Sequence, residues 1–306
     1  MRLVFAGTPQ VAADTLAHLL DHGRHEVVAV LTRPDAPQGR SSRPVPSAVA
    51  ALAAERGIEV LRPARASDPA LSARLTEIAP DCCPVVAYGG LIPQRLLEMP
   101  AHGWVNVHFS LLPRWRGAAP VQHAILAGDE VTGVTVFELV AELDAGPVLA
   151  TAEYRLAPGE TSGVALAALQ TLGAELLLQT LDGLESGSAA GVPQPDVGVT
   201  LAPKLSVAGA RIDWTRPALE IARQVRACNP SPMAWTQLGG ERFRVLTATP
   251  EADAGLAPGA VRADKRAVLV GTGGGSLALL QVQPAGKRAL AAVDWARGLR
   301  AAAVFE

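Results

Sequence analysis

Cysteine is scarce in this chain: Cys82, Cys83 and Cys228 are the three present among 306 residues. They form no C-x-x-C pair and have no histidine cluster at ligand spacing, which excludes a disulfide scaffold, a zinc ribbon and a dithiol redox motif. The adjacent pair reads as small buried hydrophobes opening an apolar strand, not as a redox switch, and a reducing cytosol follows. Lysine is also scarce while Ala, Arg and Pro abound, a compositional bias that says little about function. No stretch approaches the ~20 uninterrupted apolar residues of a spanning helix, and residues 2–7 run straight into a strand pattern without a charged leader. The expectation is therefore a cytoplasmic protein with no membrane partner, and a monomer.

A large net charge is lacking too. The net formal charge is −2, which argues against strong nucleic-acid binding by the whole chain. Its distribution says more. Residues 1–204 carry 14 basic and 21 acidic side chains, a balance of −7, whereas residues 205–306 carry 13 and 8, a balance of +5. A basic tail on an acidic body suits a division in which one part meets a polyanion and the other works on small molecules.

What is present has a clear order. Strand patterns at 3–6, 26–31, 58–61 and 84–88 alternate with helical patterns at 11–20, 47–56 and 71–78. Such alternation predicts βαβ units and a largely parallel, Rossmann-like α/β sheet covered on both faces. The turn Gly7-Thr8-Pro9 does not complete a dinucleotide fingerprint, and the glycines at 271–275 precede a strand, so neither reads as a phosphate cradle. A long helical pattern at 162–184 is followed by a Gly/Pro-rich stretch at 183–199. The expected division is a catalytic domain at 1–184, a linker at 185–204 and a smaller C-terminal domain at 205–306. Within the last, a helix at 217–228 precedes short strand patterns at 243–248, 259–262, 267–270 and 277–282, which predict a small OB-like β-barrel.

The densest unusual segment is Val105-Asn106-Val-His108-Phe-Ser110-Leu-Leu-Pro113-Arg-Trp-Arg-Gly117-Ala-Ala-Pro120. Asn106 and His108 lie two apart on a strand, so they emerge on one face. They sit at its C-terminal end, where open parallel sheets keep their ligand crevice. Downstream, Leu143-Asp144-Ala145-Gly146 sets a carboxylate in a turn. An amide, an imidazole and a carboxylate suit acyl transfer to an amine: the amide N–H stabilises a developing oxyanion, the imidazole moves protons near neutrality, and a carboxylate orients the imidazole. A lone histidine on a strand is more often structural, and an Asp in a turn is usually a local cap. The absence of a G-x-S-x-G elbow and of a metal ligand set leaves direct transfer without a covalent enzyme intermediate as the simplest scheme.

These motifs resemble the folate-dependent formyltransferases, and in particular the branch whose acceptor is initiator methionyl-tRNA. Further matches run end to end: Phe5-Ala-Gly-Thr-Pro9, Val86-Ala-Tyr-Gly89, Lys204-Leu-Ser206, Arg211-Ile-Asp-Trp214, Asn229-Pro-Ser-Pro232 and Gln283-Pro-Ala-Gly-Lys287. The resemblance implies a 10-formyltetrahydrofolate donor and no metal. Asn106 would stabilise the oxyanion, His108 would act as acid and base, and Asp144 would orient it. Ser110, Leu111, Leu112 and Pro113 would line the folate site, the C-terminal barrel would bind tRNA, and the loop 33–46 would approach the acceptor end.

The chain departs from the family pattern in two places. Arg40 is followed by Ser41 and Ser42, where family members often carry two lysines, which leaves Arg40 and Arg43 to meet phosphate. Phe109 is bulkier than the residue often found there, which predicts a locally altered folate pocket. Two rivals remain. A sugar or ribonucleotide N-formyltransferase would share the catalytic core but need no basic tail. A non-catalytic RNA-binding protein on the same scaffold would have no reason to keep all of Asn106, His108 and Asp144.

Overall fold

The computed structural model describes residues 1–37, 43–299 and 302–306. The chain divides into two compact units. The first comprises 1–117, 132–154 and 167–201; the second comprises 118–131, 155–166 and 202–306.

The first unit opens with β1 (Arg2–Gly7), α1 (Gln10–His22) and β2 (Glu26–Leu31), followed by the short paired strands β3 (Ala36–Pro37) and β4 (Pro44–Val45). It continues with α2 (Ala48–Glu55), β5 (Glu59–Leu61), α3 (Pro69–Ile78), β6 (Cys83–Val86), α4 (Gln94–Leu97) and β7 (Trp104–His108). Local chemistry sets the helix ends. Ser47 and Asp68 accept from the N–H groups of Ala50 and Ala70, capping α2 and α3. Gly23 takes the left-handed conformation that closes α1. Gly7 has no room for a side chain, since a Cβ there would meet Ala12 Cβ at 2.6 Å where β1 turns into α1.

With β8 (Val131–Glu138) and β9 (Val148–Arg155), these strands form one seven-stranded sheet in the order β5-β2-β1-β6-β7-β8-β9. β5, β2, β1, β6 and β7 run parallel, and β8 is antiparallel to β7. The order reverses at β1, which pairs with β2 on one side and β6 on the other, the arrangement that opens a crevice beyond the strand C-termini. The sheet is Rossmann-like and mostly parallel, as its βαβ pattern predicts. Phe5, Trp104 and Phe137 are fully buried in it. Cys82, Cys83 and Cys228 are free and buried, and burial pushes the Cys82 and Cys228 thiols up to about 12 and about 11. That fits inert hydrophobes.

Helix α6 (Ser162–Ser186) is, among the described residues, the one helix long and apolar enough to cross a membrane. Leu169, Leu177, Leu178 and Leu181 on it are buried, and Glu175 and Gln179 interrupt its apolar run, which marks a core helix.

The second unit holds α5 (Pro120–Ala127), α7 (Ala218–Ala227) and an antiparallel sheet. Its strands are β10 (Ala234–Leu238), β11 (Glu241–Glu251), β12 (Val261–Ala263), β13 (Val268–Gly271) and β14 (Ser276–Gln283), in the order β10-β11-β14-β13-β12. A short β15 (Leu290–Ala291) pairs with β14 and leads into α8 (Ala292–Ala296). The two free edges are joined by the segment 303–306: Val261 N–H donates to Ala303 O at 3.0 Å, Phe305 N–H to Gly259 O at 2.8 Å, and Glu306 N–H to Gln237 O at 3.1 Å. That bridging makes the sheet barrel-like and leaves little exposed edge. Trp214, Phe243 and Phe305 fill its core, with the Trp214 and Phe305 rings stacked 5.5 Å apart.

Candidate active site

β7 brings Asn106 and His108 out on one face at its C-terminal end, and Val107 and Phe109 out on the other. The second pair packs under α6: a Cβ at Gly173 would meet Val107 Cγ1 at 2.9 Å and Phe109 Cε1 at 3.5 Å. Phe109 is therefore buried between helix and sheet, on the face opposite His108. This corrects the expectation that its bulk reshapes the folate pocket; the strand alternation directs that bulk into the core.

His108 is 5% exposed, with its ring edge-on to Phe137 at a centroid distance of 6.3 Å. Its Nε2 lies 2.8 Å from the carbonyl oxygen of Trp115. A carbonyl only accepts, so Nε2 holds the proton of the neutral ring and Nδ1 presents the lone pair. Nδ1 faces Asp144 Oδ2 at 3.8 Å, beyond hydrogen-bond distance. The geometry sets the Trp115 carbonyl against Nε2 and the Asp144 carboxylate near Nδ1. Burial lowers the His108 pKa from its ordinary value, while the Asp144 charge and the Trp115 carbonyl oppose that shift.

The two residues that flank the imidazole both hold left-handed backbone, Trp115 at φ 63° and Asp144 at φ 48°. Aspartate tolerates this region, but for a tryptophan it is a strained conformation that its surroundings must impose. Those surroundings are visible. Trp115 N–H donates to Thr200 Oγ1 at 2.9 Å, Arg116 N–H donates to Thr200 O at 2.9 Å, and Gly117 N–H donates to Asp144 Oδ2 at 2.7 Å. Asp144 is in turn held from behind, where Gln194 Nε2 donates to the carbonyls of Asp144 at 2.8 Å and Gly146 at 2.9 Å. Gln194 Oε1 accepts from the Arg116 guanidinium at 2.8 Å.

The segment 185–204, read from sequence as a linker, thus clamps both loops of the site; Val192 and Val148 also exchange backbone hydrogen bonds at 2.8 Å. Sequence reasoning missed Trp115, Gln194 and Thr200. Backbone carbonyls carry no signature, and the Gly/Pro-rich stretch 183–199 hid Gln194 and, just beyond it, Thr200.

Ser110 is fully buried and its hydroxyl donates to Arg114 O at 2.6 Å. Its carbonyl accepts from Thr135 Oγ1 at 2.7 Å, and Thr135 Oγ1 accepts from Leu112 N–H at 3.1 Å. Ser110 thus knots the loop, while Leu111, Leu112 and Pro113 are half-buried and leave apolar surface beside the site. Asn106 is half-buried, opposite Phe137 on β8 and Val85 on β6. Arg43 is exposed next to β4, and Arg40 lies outside the described residues.

An amide and a buried imidazole with its lone pair toward a carboxylate now stand together at the end of a parallel strand. Residues 1–181 match the formyl transferase family, and residues 204–300 match the formyl transferase C-terminal domain. The chain belongs to the formyl transferase family. It is 57% identical over 301 residues to the methionyl-tRNA formyltransferase of Streptomyces coelicolor, covering 98% of this chain and 97% of that one. The methionyl-tRNA formyltransferases of Thermobifida fusca and Mycolicibacterium vanbaalenii are 56% and 52% identical with the same coverage. Solved formyltransferase-fold structures resemble it more distantly. HypX from Aquifex aeolicus in complex with tetrahydrofolic acid matches 96% of this chain at a TM-score of 0.66 and 21% identity, and the chain spans 46% of HypX. An N-formyltransferase from Helicobacter canadensis in complex with folinic acid and dTDP-3-aminofucose matches 92% of this chain and 98% of that one at 0.68 and 15%.

Proposed function

We propose that this formyl transferase moves a formyl group from 10-formyltetrahydrofolate to the α-amino group of methionine on initiator tRNA. The observation that carries the reading is identity above 50% across nearly the whole of both chains to enzymes named for that reaction, C-terminal domain included.

The half-buried, apolar Leu111–Pro113 edge beside a polar amide and imidazole fits a folate ring system with its one-carbon unit turned toward β7. The donor supplies an activated formyl carbonyl; the chain supplies everything else. Asn106 offers amide N–H groups to the negative charge that grows on the formyl oxygen as the amine adds. His108 Nδ1 takes the proton the amine must lose, and the resulting imidazolium lies 3.8 Å from Asp144, which stabilises it. The proton then passes to the departing folate nitrogen. Trp115 keeps the ring in the tautomer that leaves Nδ1 free to accept. Arg40 and Arg43 of the 33–46 loop, with the basic second unit, would meet tRNA phosphate.

The test is an acceptor panel in which methionyl initiator tRNA, free methionine and amino sugars are each offered with the folate donor. Formylation confined to the charged tRNA is expected. Comparable turnover of an amino sugar would sink the assignment.

A further inference from the structure

Helix α1 presents His18 and His22 one turn apart, and Glu175 of α6 faces them. One ligand atom from each of the three lies within 4.8 Å of the others. We propose that these residues form a divalent transition-metal site, best suited to zinc, that clamps α1 to α6.

Four features point the same way. First, His18 Nε2 stands 3.4 Å from Glu175 Oε2, close to the ~3.4 Å edge of a tetrahedron built on bonds of about 2.0–2.1 Å to zinc. Second, His22 Nδ1 lies 2.8 Å from the His18 carbonyl, so Nδ1–H donates there and Nε2 keeps the lone pair a metal needs. Third, His18 Nε2 is buried with the Glu175 carboxylate as its polar neighbour, and a cation between the two would be shared by both. Fourth, Gln179 Nε2 donates to Glu175 Oε1 at 2.8 Å, which orients the carboxylate and leaves Oε2 toward the histidines. Two imidazoles and one carboxylate select a borderline-soft divalent ion over magnesium or calcium, and three protein ligands leave room for water. The sequence signal, His-x-x-x-His on a helix, was present but incomplete, because the third ligand comes from α6.

The clamp has a structural logic. Glu175 and Asp182 lie two helical turns apart on the same side of α6, and Asp182 already pairs with His25 Nε2 at 3.2 Å. A metal at His18, His22 and Glu175 would add a second tie between α6 and the β1–α1–β2 layer, away from Asn106, His108 and Asp144.

The experiment is titration of the tag-free, chelator-treated full chain with Zn²⁺, alongside Co²⁺ as a spectroscopic probe and Mg²⁺ as a control. One equivalent of zinc should bind and raise the Tm by a few degrees, Co²⁺ should give the strong visible absorption of a low-coordinate site, and Mg²⁺ should do neither. His22→Ala and Glu175→Gln, both at exposed positions, should weaken zinc binding at least tenfold and abolish the Tm response without altering formyl transfer in the metal-free enzyme. If His22→Ala and the double variant His18→Gln/His22→Ala, each folded by circular dichroism, bind zinc as the parent does, the site is elsewhere and the proposal is wrong. The absence of any stoichiometric zinc binding to the parent would overturn it equally.

Discussion

At the scale of single residues, the site depends on which ring nitrogen of His108 holds the proton. The Trp115 carbonyl assigns it to Nε2, so in the proposed scheme Nδ1 is the base and Asp144 supports its charged form. Removing the imidazole by His108→Ala should lower kcat by ~10²–10⁴-fold, the usual contribution of a positioned acid/base. The double variant with Asp144→Asn should lose far less than the product of the two single losses, as expected of groups that act as a unit. Near-normal turnover of folded His108→Ala would refute the scheme. A pH profile gives a second check. His108 is held below its ordinary value by burial, so the acid limb of kcat/KM should fall below the ordinary histidine value of about 6.5. Asp144→Asn removes a charge that raises the His108 pKa, so it should move that limb lower still. Stability follows the same sign: the unfolded chain takes up this proton first, so the contribution of neutral His108 is fully present above about pH 6.5 and declines as pH falls below it. Asn106→Asp keeps the shape but sets a negative charge toward the growing oxyanion. It should lower kcat by about 10²–10³-fold with folate affinity largely kept, the scale of losing an oxyanion-hole donor. Normal turnover at saturation with weakened folate binding would make Asn106 a binding residue instead.

At the scale of elements, the site is three loops held together: 110–117 after β7, 141–146 between β8 and β9, and 188–201 beyond α6. Period-two alternation along β7 made the Asn106/His108 face legible in the sequence, and the βαβ order made the parallel sheet legible. The same alternation, followed one residue further, sends Phe109 to the α6 face, a consequence hidden when Phe109 is compared with family motifs alone. The clamp was not legible, because Gln194 and Thr200 act through backbone atoms of residues far away in sequence. Gln194→Ala deletes two donated bonds and the Arg116 contact, so it should destabilise the enzyme by roughly 1.5–4.5 kcal/mol at about 0.5–1.5 kcal/mol per hydrogen bond. Its kcat should drop while KM for folate changes little, because the Asp144 turn loosens and the apolar edge at Leu111–Pro113 does not. Gly146→Ala tests the same turn sterically: a Cβ there would fall on the carbonyl oxygen of Glu138, which forces the turn away from His108. A Gly146→Ala enzyme with parental Tm and kcat would show that the turn can shift without consequence.

At the scale of the whole molecule, charge is divided along the compact units. The second unit carries 15 basic and 11 acidic residues, a balance of +4, and the first a balance of −6. That second unit is not simply the C-terminal third. It includes 118–131 and 155–166, with α5 packed on α7, Ser162 Oγ donating to Ala227 O at 2.9 Å and Arg226 donating to Glu160 O at 3.2 Å. Deleting everything beyond Pro203 would strip α5 of its partner, so point substitutions probe tRNA binding more cleanly than truncation. The best probes are Arg211 and Arg242, exposed arginines whose guanidinium carbons lie 5.7 and 4.4 Å from the ring centroid of the half-buried Trp235. An indole with two cations close to its ring suits a nucleic-acid backbone with an unpaired base beside it. Each phosphate contact releases counterions, so log affinity for methionyl-tRNA should fall with log salt by roughly 0.7–0.9 per contact. Arg211→Gln/Arg242→Gln should therefore flatten that slope by about 1.4–1.8. It should also weaken tRNA binding at low salt, and leave folate binding and the His108-dependent pH limb untouched. Affinity measured at several salt concentrations decides the matter, and a slope equal to the parent's would place the tRNA on another face of the unit.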